Sequence, residues 1–361
     1  MNPKKNKTAL IEKNGISQPE IINEKSVEKI QKFRNKQPTV NELVNGILSH
    51  NISSLSRAIT LIESSNPEHL LKANEVISAC IPKVVPSIRI GITGVPGVGK
   101  STFIETFGKY LTSLGKKVAV LAVDPSSTIS HGSILGDKTR MEELVKDENA
   151  YIRPSASGET LGGVARKTRE TITLCEAAGF DIIIIETVGV GQSETAVHSM
   201  VDFFLLLKIS GAGDELQGIK RGIMEMADAI VINKADGDNI QKANLAEIEF
   251  GRALHLFPAK KSGWNPVVTS CSSINNTGID VVWNIISDYF KLTKNNGYFN
   301  ENRQNQNQFL MLETINEQLK INFYSNPEIL NLLATNKKAV QNNEISPFVA
   351  ANQLLKIYFK S

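Results

Sequence analysis

The chain has 361 residues, 41% hydrophobic and 21% charged, which is long enough for two domains or for one domain with helical additions. Its net charge of +3 sets up no field that would make nucleic acid or an anionic membrane its main partner. The odd, scattered cysteines Cys80, Cys175 and Cys271 point to a reducing compartment and away from a multi-cysteine metal site, and no apolar run approaches the ~20 residues of a membrane span.

Residues 1–37 are rich in Lys, Asn, Glu and Gln with few apolar positions in phase, which predicts a flexible arm. The basic start lacks the apolar core of a signal peptide, so a cytoplasmic location is expected. Residues 38–86 read as a helical region. Thr39-x-x-Glu42 forms a capping box for a helix carrying Leu43, Val44, Ile47 and Leu48. A second helix places Leu55, Ala58, Ile59 and Ile62 on one face. A third starts at Asn66-Pro67 and ends before Pro82 and Pro86.

From 87 to 292 strands alternate with helices. Strands are predicted at Ile88–Thr93, Val118–Val123, Tyr151–Arg153, Ile182–Ile185, Phe203–Ile209, Ala229–Ile232 and Val267–Ser270. Unbroken apolar runs such as Ile182 to Ile185 suit central parallel strands buried on both faces. The fold class is therefore α/β, a doubly wound, mostly parallel sheet that binds its ligand beyond the carboxyl ends of the strands. A polar break at Asn295-Asn296-Gly297 and from Asn300 to Gln308 precedes a helical region, 293–361. There Phe309, Leu312, Ile315 and Leu319 are spaced for one long amphipathic helix.

Four segments of this frame carry chemistry. Gly94-Val95-Pro96-Gly97-Val98-Gly99-Lys100-Ser101 fits G-x-x-x-x-G-K-S/T between a strand and a helix that begins with Thr102. Its glycines let backbone N–H groups converge on phosphates, Lys100 reaches the β and γ oxygens, and the Ser101 hydroxyl can ligate Mg²⁺. The segment predicts a nucleoside triphosphate site. Asn233-Lys234-Ala235-Asp236 follows an apolar strand, and a carboxylate at Asp236 can accept hydrogens from N1 and the exocyclic amine of guanine. Ser272-Ser273, with Ile274 next, stands beyond the last strand and can offer backbone N–H groups to the guanine oxygen. Glu186-Thr187-Val188-Gly189 occupies the strand end where P-loop GTPases place D-x-x-G, with an acid for Mg²⁺ and a glycine N–H for the γ-phosphate. Asp124 and Asp137, at and beyond another strand end, can approach Mg²⁺ or its waters; a helix cap is the alternative for each. Val190 follows Gly189 where Ras-type enzymes carry glutamine, so slow basal hydrolysis is expected.

With these residues, E-T-V-G-V-G-Q-S-E at 186–194, L-G-G-V-A-R-K-T-R-E-T at 161–171 and G-D-E-L-Q-G-I-K-R-G-I at 213–223 resemble the MeaB/ArgK-type GTPases. The likeness runs from about residue 40 to the C-terminus. It implies a GTPase that chaperones adenosylcobalamin-dependent methylmalonyl-CoA mutase, gating cofactor loading and protecting or reactivating the mutase. It also implies a homodimer joined by the C-terminal helices, with no tightly bound cobalamin. Asp124, Asp137 and Glu186 then resemble the Mg²⁺-linked acids, and Lys100, Glu186 and Gly189 the residues closest to phosphoryl transfer. The segment with Asp214, Gln217 and Lys220 resembles a switch that reports nucleotide state to the mutase. At Arg153-Pro154-Ser155-Ala156-Ser157-Gly158-Glu159-Thr160 the chain departs from the family's R-P-S-P-x-x-G-T. Two rivals share the phosphate loop: a nickel metallochaperone GTPase, which needs Cys or His clusters, and a small-molecule kinase, which needs a second substrate motif.

Overall fold

The computed structural model describes residues 38–123, 141–154, 161–187, 193–211 and 221–359. The arm predicted at 1–37 lies outside them, as do Asp124, Asp137, Gly189, Asp214, Gln217 and Lys220.

Three capped helices open the described chain: α1 (Val40–Leu48), α2 (Ile52–Glu63) and α3 (Pro67–Cys80). At α1 the Glu42 N–H donates to Thr39 Oγ1 at 3.2 Å and the Thr39 N–H donates back to Glu42 Oε2 at 2.7 Å. Asn66 caps α3, whose first residue is Pro67, by accepting from the Glu68 N–H at 2.9 Å. Leu43, Ile47, Leu55, Ile59 and Ile62 of α1 and α2 are buried.

The sheet follows. Its strands are β1 (Ile88–Gly94), β2 (Val118–Val123), β3 (Ala150–Arg153), β4 (Ile182–Thr187), β5 (Phe203–Ile209), β6 (Ala229–Asn233) and β7 (Val267–Ser270). Among the described residues all seven pair in parallel, in the order β3-β2-β4-β1-β5-β6-β7. The chain winds outward from β1 to β3, returns to β4, and winds the other way through β5 to β7. That reversal opens a crevice at the carboxyl ends beside β1.

Side chains alternate between two cores, as a pleated strand requires. Ile183 and Ile185 of β4 join α1, α2, α3 and α5 (Leu161–Ala177) on one face. Ile182 and Ile184 join α4 (Lys100–Ser113) and α9 (Ile279–Asn295) on the other. The short helices α6 (Ser193–His198) and α7 (Arg221–Met226) precede β5 and β6, and α8 (Ile240–Leu254) covers β6 with a third cluster around Phe250 and Leu254.

The amino ends of the strands share one device. Asp181, Asp202 and Asp228 each stand one residue before an apolar strand. Each accepts a backbone N–H from a neighbouring chain segment: Lys117 at 2.8 Å, Arg89 at 2.9 Å and Phe204 at 2.8 Å. A donor at the edge of the ladder is thus satisfied by a carboxylate.

The sequence predicted a polar break up to Gln308, but the helix α10 already runs from Tyr298 to Ser325. Gly297 at its N-cap takes φ +83°, and among the polar residues that follow Gln306 is buried and Arg303 half-buried, while Asn300, Glu301, Gln304, Asn305, Asn307 and Gln308 stay on the exposed side of the helix. Arg303 donates to Asp202 at 2.6 and 2.7 Å, to Glu176 at 3.1 Å and to the Ser87 carbonyl at 2.8 Å. Gln306 Nε2 donates to the Val201 carbonyl at 2.7 Å. Arg89 completes the cluster with two hydrogen bonds to Glu176 at 2.9 and 2.8 Å. Burial acts to raise the Glu176 carboxyl, but its bond and charge contact with Arg89, with the charge of Arg303, outweigh this and hold it below the usual carboxylate range. The helices α11 (Pro327–Gln341) and α12 (Pro347–Tyr358) complete the chain.

The cluster predicts a stability phenotype. Arg303→Met leaves two buried carboxylates short of a cation and is expected to cost about 3–5 kcal/mol in denaturant unfolding. Because the native Glu176 value is depressed, its contribution is complete above the ordinary carboxylate range and is lost as pH falls through the folded value. In Arg303→Met the folded value moves back toward the ordinary one, so that acid loss should be smaller and should be complete at higher pH. An unfolding midpoint that matches wild type and moves with pH in the same way would refute the account.

Candidate nucleotide site

The crevice at the carboxyl ends is framed by the turn from β1 into α4. Gly94 lies against β5: a Cβ there would stand 2.6 Å from the Leu207 carbonyl oxygen. Gly99 takes φ +91°, and a Cβ there would stand 2.9 Å from Asn233 Nδ2. The loop Gly94-Val95-Pro96-Gly97-Val98-Gly99 therefore needs glycine at both ends, for close approach and for a left-handed backbone. It delivers Lys100, Ser101 and Thr102 to the first turn of α4, where the N–H groups of a helix start and the positive end of the helix dipole favour an anion.

Two lysines brace the loop at different carbonyls. Lys100 Nζ donates to the Gly94 carbonyl at 2.7 Å and to that of Val95 at 3.4 Å. Lys234, with φ +61°, donates through Nζ to the Gly97 carbonyl at 2.8 Å.

Asn233 is the last residue of β6 and is 1% exposed. Its Nδ2 donates to the Val98 carbonyl at 3.0 Å, and its Oδ1 accepts from Ser273 Oγ at 2.8 Å and the Ser273 N–H at 3.4 Å. One carboxamide thus joins the phosphate loop to the segment beyond β7. Asp236 is oriented from that segment too, because Ser272 Oγ donates to Asp236 Oδ2 at 2.6 Å. The sequence led us to expect backbone donors from both Ser272 and Ser273. Instead the Ser272 N–H is spent on the Thr277 carbonyl at 3.0 Å, closing a small loop, the Ser273 N–H is turned to Asn233 Oδ1, and Ser272 contributes its hydroxyl to Asp236. Ile274, at the tip, has a side chain 74% exposed.

At the end of β4, Glu186 is 4% exposed and stands in register between Ile92 of β1 and Ala122 of β2. Beside it the Thr187 hydroxyl donates to Thr93 Oγ1 at 2.9 Å, tying β4 to β1. Ser101 and Glu186 supply hydroxyl and carboxylate oxygen, the donor types Mg²⁺ takes. Among the described residues no group of three His, Cys, Asp or Glu side chains could hold a metal by itself.

The structure thus brings Gly94 to Thr102, Asn233, Lys234, Asp236, Ser272, Ser273 and Ile274 to one end of the sheet, with Glu186 at the adjoining strand end. Three further residues escaped the sequence reading. Glu194 is 1% exposed in the first turn of α6. Lys208 is 1% exposed on β5, its ammonium 5.5 Å from the Phe250 ring centroid, and a lone lysine in an apolar strand was its signal. Thr106 of α4 donates to the Ser273 carbonyl at 2.8 Å, and nothing in its spacing announced that.

Known proteins agree with this architecture. A family model described as methylmalonyl Co-A mutase-associated GTPase MeaB matches residues 55–328. GTPase ArgK of Escherichia coli is 43% identical over 318 residues, covering 88% of this chain and 96% of that protein. The mitochondrial methylmalonic aciduria type A homolog of Mus musculus is 43% identical over 337 residues, covering 90% and 80%. A solved structure of a LAO/AO transport system kinase superposes with a TM-score of 0.72 at 37% identity, covering 90% of this chain and 99% of that one. By the family match and these identities, the chain belongs to the MeaB family of P-loop GTPases.

Proposed function

We propose that this GTPase couples GTP binding and hydrolysis to the servicing of an adenosylcobalamin-dependent acyl-CoA mutase, methylmalonyl-CoA mutase first, by gating cofactor loading and protecting or reactivating the mutase. The observation that carries it is the Asn233 carboxamide linking the phosphate loop to the Asp236–Ser272 pair, in a chain matched over most of its length by the mutase-associated family. Guanine is read by Asp236, which accepts two donors that adenine lacks as a pair. Lys100 exchanges the Gly94 carbonyl for β and γ oxygens, and the amides of the loop and of α4 stabilise charge developing on the bridge. Ser101 and Glu186 would hold Mg²⁺, which neutralises charge shared by the β- and γ-phosphates. Asp124, Asp137 and Gly189 are assigned to the same site from sequence alone, and Asp214, Gln217 and Lys220 to signalling toward the mutase. Three free, buried cysteines accord with a cytoplasmic setting, and no helix among the described residues is long and apolar enough to cross a membrane.

Homodimerisation belongs to the same proposal. Phe309, Leu312, Ile315 and Leu319 of α10 are 48%, 55%, 49% and 55% exposed, so the stripe is not consumed by its own domain. A second copy would bury it.

Three outcomes follow. Asp236→Asn should weaken GTP binding about a hundredfold, near 2–3 kcal/mol, and gain affinity for xanthosine triphosphate. Equal calorimetric affinities for both nucleotides in variant and wild type would remove guanine recognition from this residue. The intact protein should scatter light as a dimer at micromolar concentration, and the pair Leu312→Glu and Ile315→Glu should scatter as a monomer that still binds GTP. A monomeric wild type would end the dimer reading. With purified mutase, hydrolysis should accelerate, and adenosylcobalamin transfer to the apo-mutase should differ between GTP-loaded and GDP-loaded protein. No acceleration and identical transfer would overturn the chaperone role while leaving the GTPase intact.

A further inference from the structure

The segment 272–277 is held by hydrogen bonds at Ser272, Ser273 and Thr277, and one of its anchors comes from an unexpected element. Asn233 takes the N–H and Oγ of Ser273, whereas the carbonyl of Ser273 is taken by Thr106 Oγ1 at 2.8 Å. Thr106 lies on α4, the helix whose first turn belongs to the phosphate loop, 167 positions away in sequence. A trans peptide points its carbonyl and its N–H in opposite directions, and no cis peptide bond is present among the described residues. Fixing the Ser273 carbonyl against α4 therefore fixes the Ile274 N–H away from it. The Ile274 side chain, 74% exposed, gives this peptide little packing of its own. The hydroxyl also polarises the amide it holds, because a carbonyl that accepts a hydrogen bond makes the N–H of the same peptide a stronger donor.

We propose that Thr106 is a positioning residue for nucleotide specificity. It aims the Ser273–Ile274 peptide at the 6-oxo group of guanine and sets the distance between base and phosphates by tying the base loop to the phosphate-binding helix. The inference rests on guanine being read by the loops beyond β6 and β7. Thr106 is half-buried, so the near-isosteric valine removes the hydroxyl with little change in shape, and serine retains it.

The test uses the full chain and two nucleotides: GTP, and the triphosphate of 2-aminopurine riboside, which keeps the exocyclic amine but lacks the 6-oxo group and with it the N1–H. Thr106→Val should weaken GTP binding roughly three- to tenfold, the worth of one hydrogen bond, and leave the analogue's affinity within about twofold. Thr106→Ser should restore the GTP value. An equal loss for both nucleotides would show a merely structural bond and overturn the proposal, as would no loss for either. If wild type already binds the two nucleotides equally, neither the 6-oxo group nor the N1–H is read. The base-loop reading then falls together with this one, whereas a wild type that discriminates beside an unaltered valine variant sinks the Thr106 role alone.

Discussion

The architecture at the carboxyl end of the sheet hangs on the side chain of Asn233. It is buried, it ends a strand next to the sheet's edge, and it spends its amide hydrogen on Val98 O and its oxygen on Ser273. Loops from β1, β6 and β7 are distant in sequence, and each is long enough in conformational freedom to resist closure. One carboxamide with donor and acceptor at opposite corners holds two of them at once, and aspartate or leucine could not. Gly99 follows from that contact, because a side chain there would collide with the amide nitrogen.

The sheet imposes the reason such a tie is needed. Parallel strands put all their exits on one side, so every ligand-facing loop begins at a rigid strand end and then has no ladder to rely on. At the opposite edge the corresponding problem is unpaired N–H groups, and Asp181, Asp202 and Asp228 answer it by one repeated placement. A single rule, polar side chains closing the backbone where the ladder stops, accounts for both ends.

All seven strands were legible because period-two and continuous apolar runs are local properties, and the structure lengthened three of them by one or two residues at the carboxyl end. The caps at Thr39 and Asn66 were legible for the same reason. The phosphate loop and Asn233-Lys234-Ala235-Asp236 were readable because their chemistry demands fixed residues at fixed spacing. What sequence could not give was long-range pairing. Thr106 is an ordinary helical threonine until a segment 167 residues away lays its carbonyl on it. Arg303 and Gln306 read as a polar linker because their partners, Glu176, Asp202 and Val201, come from other elements. Ser272 was read as a backbone donor because only the closed bridge to Thr277 shows that its N–H is already spent.

The two ends of the sheet also divide their electrostatics. At the amino end, Arg89, Glu176, Asp202 and Arg303 neutralise one another inside the protein, where full charge pairing offsets desolvation and fixes the base of α10 against α5 and the residue before β5. At the carboxyl end, fixed positions are set instead by neutral groups: the Asn233 amide and the hydroxyls of Thr106, Ser272 and Ser273. Lys100 and Lys234 rest on carbonyl oxygens, and Asp236 rests on a hydroxyl. A neutral partner holds a charged group in place without cancelling its charge, so in the function proposed above Lys234 and Asp236 keep their field for the nucleotide. Replacing those hydroxyls and amides with ion pairs would hold the loops as firmly, but a ligand would then have to break each pair before using it.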